Sequence, residues 1–67
     1  EEYRRRFLGK MLHVLTEEEK NGCFEGLSDE YIRVYLKGED IQRGKIYLVR
    51  IHSLTEDGLS GIAERMV

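Results

Sequence analysis

The sequence predicts an all-β fold, built as a small closed or partly open barrel. Three observations carry this. Five short apolar stretches are separated by clusters of turn residues. No proline interrupts any of them. One stretch, Tyr31-Ile32-Arg33-Val34-Tyr35-Leu36-Lys37, alternates strictly between aliphatic and polar or aromatic residues. A chain of 67 residues has little with which to cover exposed strand edges, and closure removes them.

Residues 1–8 read as the end of a helix. Glu and Arg are good helix formers, Glu1/Glu2 and Arg5/Arg6 stand four apart, and Gly9 is a terminator. Eight residues hold no helix alone in water, so this lead-in must pack on the body or continue a helix of an upstream domain. The chain starts at Glu1 and its first methionine is Met11, so it reads as a fragment of a longer protein.

The barrel is expected over residues 9–67. Met11 to Thr16 is a dense apolar run in which Leu12 and Val14 share a face. Lys20-Asn21-Gly22 signals a turn, and Cys23 to Leu27 a short second strand. Ser28-Asp29-Glu30 leads into the alternating strand, which Gly38-Glu39-Asp40 ends. A loop from Ile41 closes at Gly44. Lys45 to Leu54 is the longest strand candidate, with Tyr47, Val49 and Ile51 on one face. Tyr47 suits either the core or the surface. Thr55-Glu56-Asp57-Gly58 carries an Asp-Gly turn signal. Leu59 to Ala63 is the last strand, although residues 59–67 also suit a helix. The expected core is Leu12, Val14, Ile32, Val34, Leu36, Val49, Ile51 and Leu59.

Composition narrows the function. One cysteine, Cys23, allows no intrachain disulfide and no thiolate metal site, and it fits a reducing compartment such as the cytoplasm. No apolar run approaches the roughly 20 residues that span a membrane. His13 and His52 lack ligand spacing, and no glycine-rich phosphate loop is present. Nothing here pairs a nucleophile with a base, so catalysis by this segment is not expected. The net charge of −2 excludes binding nucleic acid by bulk charge alone.

The alternating strand is the candidate site. Its outer face interleaves Tyr31, Arg33, Tyr35 and Lys37, and rings beside cations can stack bases while neutralising phosphates. Arg50 is expected on a neighbouring outer face and Lys10 at the edge. Glu17-Glu18-Glu19 and Glu56-Asp57 read as solvated acidic turns pointing away from this surface.

Gly9-Lys10-Met11-Leu12-His13-Val14-Leu15-Thr16-Glu17 resembles the opening strand of a TRAM domain. Gly26-Leu27-Ser28-Asp29-Glu30-Tyr31-Ile32-Arg33-Val34 resembles its central segment. Gly44-Lys45 to Ile51, with Gly58-Leu59-Ser60-Gly61, resembles its closing pattern. The likeness covers residues 9–63. Ser28 stands where the family usually has Thr, and Glu30 where Asn is usual. The Phe7-Leu8-Gly9-Lys10 lead-in and the Tyr31-Ile32-Arg33-Val34 form resemble the C-terminal module of MiaB-like tRNA methylthiotransferases, in the threonylcarbamoyladenosine branch. The resemblance implies a five-stranded antiparallel OB-like barrel that binds RNA. It implies as partners a tRNA, at its anticodon stem-loop, and the protein's own upstream catalytic domain. It implies for the parent enzyme a radical-SAM core with iron–sulfur clusters and S-adenosylmethionine, none of them held by this segment. A barrel of this size also serves as a protein–protein or intramolecular docking module without RNA contact.

Overall fold

The computed structural model describes residues 2–67. Five strands follow a short 3₁₀ turn at Tyr3–Phe7. They are β1 (Met11–Lys20), β2 (Cys23–Ser28), β3 (Arg33–Lys37), β4 (Ile46–Leu54) and β5 (Leu59–Met66). They close in the order β1-β2-β3-β5-β4 and back to β1. Four seams are antiparallel and one, β3–β5, is parallel. An odd number of strands cannot alternate direction around a closed ring, so one parallel seam is required. The OB-like barrel is therefore present, and residues 59–66 are strand rather than helix.

β1 serves two seams. Met11 to Leu15 pairs with β4, and Val14 to Lys20 pairs with β2. The register slips between Thr16 and Glu18, and a bulge there lets one strand coil from one half of the barrel to the other. The acidic triplet Glu17-Glu18-Glu19 thus lies within a strand, correcting the expected turn. Residues 17–20 are all exposed: both faces of this arm meet water, so nothing forces the alternation that marks a strand.

The core is Leu12, Val14, Val34, Leu36, Tyr47, Val49, Ile51 and Leu59. Seven of these are the expected residues. Ile32 is only half-buried and packs at the core's edge, because β3 starts one residue later, at Arg33. Tyr47 resolves to the core, with its hydroxyl accepting from the Gln42 N–H at 2.8 Å. Thr16, also buried, donates its hydroxyl to the Gln42 carbonyl at 2.6 Å and accepts from the Lys45 N–H at 3.1 Å. These two side chains supply the hydrogen bonds that the 38–45 loop cannot find in a ladder.

The lead-in is a 3₁₀ turn rather than an α-helix, with the Arg5 N–H bonded to the Glu2 carbonyl and the Leu8 N–H to that of Arg5. So short a piece is held by tertiary contacts instead of α-helical propagation. Gly9 at φ 80° turns the chain into β1, and its N–H donates to the Ile51 carbonyl. Glu2 bonds Arg4 at 3.0 Å instead of a residue four positions on, and the pairing expected of Glu1 lies outside the described residues.

Candidate nucleic-acid interface

The outer face of β3 presents Arg33, Tyr35 and Lys37, as alternation requires. Tyr31 does not join them. It sits in the loop before β3 with φ 62°, its N–H bonded to the Ser28 carbonyl and its side chain 85% exposed. The buried Ser28 hydroxyl accepts from the Glu30 and Ile32 N–H groups at 3.2 and 3.1 Å, and this tight loop ends the alternation before it reaches Tyr31. The expected strand of residues 31–37 is thereby shortened to 33–37.

Pairing across β5 extends the face. Lys37 lies opposite Ile62, and Ile62 opposite Arg50 on β4. Lys37 and Arg50 are thus two strand spacings apart, roughly 10 Å, with an exposed isoleucine between them. Lys10 stands at the rim, exposed, where its carbonyl accepts from the Ile51 N–H. The structure brings Arg33, Tyr35, Lys37 and Arg50 onto one surface, leaves Lys10 at its border and sets Tyr31 apart.

Acids share this surface, which sequence reasoning missed. Arg33 bonds Glu25 at 3.0 Å and lies 3.8 Å from Glu17. Arg50 bonds Glu64 at 3.2 Å. The Tyr35 hydroxyl donates to both Asp57 carboxylate oxygens at 3.0 Å. That bond, with a smaller effect of burial, raises the Tyr35 pKa above the ordinary tyrosine value. Asp57 and Glu17 therefore face the candidate site, against the expectation that their segments point away. Among the described residues Lys37 and Lys10 form no ion pair. Exposed ion pairs are worth about 0.2–1 kcal/mol, so an incoming phosphate can displace the Glu64 carboxylate from Arg50 at small cost, whereas Arg33 is held in a part-buried pair with Glu25.

The β4–β5 turn reaches Tyr35 because Gly58 lies directly against the Arg33 carbonyl, where a Cβ would collide. Arg4 locks the other side of this turn, donating one guanidinium nitrogen to the Thr55 and Gly58 carbonyls, each at 2.8 Å. Neither contact is local in sequence, so neither left a signal there.

Among the described residues no three His, Cys, Asp or Glu side chains gather to hold a metal. Cys23 is half-buried, with its thiol 3.7 Å from the Leu36 carbonyl. No described helix is long and apolar enough to cross a membrane.

The site thus sits on a closed five-stranded barrel of OB order with a mixed aromatic and charged outer face. No protein-family profile matches the chain, and no solved structure does. The chain is 37% identical over 62 residues to the tRNA-2-methylthio-N(6)-dimethylallyladenosine synthase of Aliarcobacter butzleri (strain RM4018). The match takes in 91% of this chain and 14% of that enzyme, so the chain corresponds to a small segment of it. The relative's name specifies the dimethylallyl nucleoside, whereas the sequence resemblance pointed to the threonylcarbamoyl branch.

Proposed function

We propose that this chain is the TRAM-type RNA-binding barrel of a MiaB-like tRNA methylthiotransferase, presenting the anticodon stem-loop of a tRNA to a catalytic domain elsewhere in the same protein. The observation that carries this reading is the 37% identity to a segment of a tRNA-methylthiolating enzyme. The barrel order supports the β3 part of the site, since such barrels bind oligonucleotides on the β2–β3 face with the β1–β2 and β4–β5 loops, and Arg33, Tyr35 and Lys37 lie on β3. In this reading Lys37, Arg50 and Lys10 meet phosphates, Tyr35 stacks on an unpaired base or ribose, Arg33 does either, and Tyr31 reaches out from its loop. Iron–sulfur clusters and S-adenosylmethionine belong to the catalytic domain, and the site of action is the cytoplasm, where tRNA is modified.

Affinity for a tRNA anticodon stem-loop at several salt concentrations tests this. The wild-type chain should bind with a falling log–log salt slope, and Lys37→Ala should flatten that slope by roughly 0.7–0.9. Tyr35→Ala should cost about 1–3 kcal/mol, with little dependence on salt. Equal binding by wild type, Tyr35→Ala and Arg33→Ala/Lys37→Ala, with the fold intact, would remove RNA from this face.

One observation favours docking instead. Leu15 lies opposite both Leu27 on β2 and Ile46 on β4, so three aliphatics form a continuous outer stripe. Together with His13, Ser28 and Asp29 they line a hollow of about 230 Å³. In the docking reading this stripe packs on the catalytic domain. Leu15→Gln should then weaken association with that domain and leave tRNA affinity unchanged.

A further inference from the structure

Four of the chain's 11 lysines and arginines fall within residues 4–10, a density that the β3 face does not match. The 3₁₀ turn gives them different tasks. Arg4 spends its guanidinium on Glu2 and on the Thr55 and Gly58 carbonyls. Phe7 packs on the core, and the Gly9 N–H is tied to Ile51. The turn is thereby fixed to the barrel, and Tyr3, Arg5 and Arg6 are left exposed. The Arg6 guanidinium lies over the Tyr3 ring, 5.1 Å from its centroid. The Tyr3 ring meets Phe7 edge-on at 5.5 Å, which holds it upright. Tyr3, Arg5, Arg6 and Glu2 line a hollow of about 450 Å³. The Glu2 carboxylate in that wall is bonded to Arg4, which keeps it ionised but offsets its charge.

We propose that this hollow is a second RNA contact, in which Arg5 and Arg6 hold backbone phosphates and the Tyr3–Arg6 pair forms a stacking platform for a base or ribose. The inference rests on the RNA-binding reading above and adds to it a site on the lead-in. The chemistry fits a single-stranded or loop nucleotide: a guanidinium plane and an aromatic ring both stack on bases, and two cations flank them. The geometry fits as well. The Arg4-locked β4–β5 turn touches the lead-in on one side and Tyr35, through Asp57, on the other. Unlike Arg33 and Arg50, Arg6 is seated on a ring rather than on a carboxylate.

The experiment is affinity of the chain for a tRNA anticodon stem-loop across a salt series, with circular dichroism as the check on folding. Arg5→Gln/Arg6→Gln should lower affinity at least tenfold at low salt and flatten the salt slope by about 1.4–1.8, the contribution of two phosphate contacts. Tyr3→Leu keeps the apolar packing on Phe7 and should lower affinity several-fold without changing the slope. Lys37→Gln should still flatten the slope further in the Arg5→Gln/Arg6→Gln background, because its contact is separate. Wild-type binding with unchanged affinity and slope in Arg5→Gln/Arg6→Gln would overturn the lead-in site and leave the barrel reading standing. Absence of salt-dependent binding by the wild type would overturn both.

Discussion

Single residues carry two kinds of information here. Tyr35 is a polar residue whose hydroxyl is occupied: it donates to Asp57, and ionising it would set two anions together. Its folded pKa is raised, so the bond is fully present below the unfolded tyrosine value of about 10 and is lost as pH rises through the higher folded value. Asp57→Asn should bring the Tyr35 titration down toward the ordinary range. The tyrosinate absorbance of the chain, less that of its Tyr35→Phe counterpart, reads this directly, and an unmoved titration would deny the bond. Tyr31 is the opposite case, an exposed ring on a strained backbone. A non-glycine residue at φ 62° costs about 1–2 kcal/mol, while glycine there gives up about 0.5–1 kcal/mol of chain entropy. Tyr31→Gly should therefore stabilise the chain by about 0.5–1 kcal/mol and raise the urea midpoint. A large fall would show that the Tyr31 side chain holds the loop.

At the level of elements, what held the strands was legible and what joined them was not. The buried residues of β3 and β4 follow a period of two, so Val34, Leu36, Val49 and Ile51 could be placed from spacing alone. Glu25 opposite Tyr35, Asp57 on its hydroxyl and Glu64 on Arg50 depend on which strands are neighbours, and periodicity carries no information on pairing. The acidic arm of β1 is hidden in the sequence for a different reason, since a strand wet on both faces has no apolar rhythm. Thr16 and Tyr47 illustrate the polar side of the same point. Their hydroxyls anchor the 38–45 loop from inside the barrel. Thr16→Val keeps the shape but strands the Lys45 N–H and the Gln42 carbonyl, and should cost about 1–3 kcal/mol in a denaturant titration. Tyr47→Phe, which strands the Gln42 N–H, should cost a similar amount. No loss in either variant would mean that the loop is held by other contacts.

The whole molecule is a small barrel with little stability to spare. A single core of this size supplies about 3–5 kcal/mol. Leu36 is fully buried, and Leu36→Ala should remove about 2–4 kcal/mol and leave much of the chain unfolded at room temperature. Surface residues can change without that penalty, which is why function is best tested there. The outer wall divides into an aromatic and charged side, β3–β5–β4 with the lead-in, and an aliphatic stripe of Leu15, Leu27 and Ile46. The RNA reading assigns the first to the tRNA and leaves the second for protein. Amide chemical-shift mapping of the labelled chain, titrated with a tRNA anticodon stem-loop, separates the two sides in one measurement. The RNA reading predicts shifts concentrated at Arg33, Tyr35, Lys37, Arg50 and the lead-in, fading as salt is added. Shifts confined to Leu15, Leu27 and Ile46, or none at any salt concentration, would contradict it.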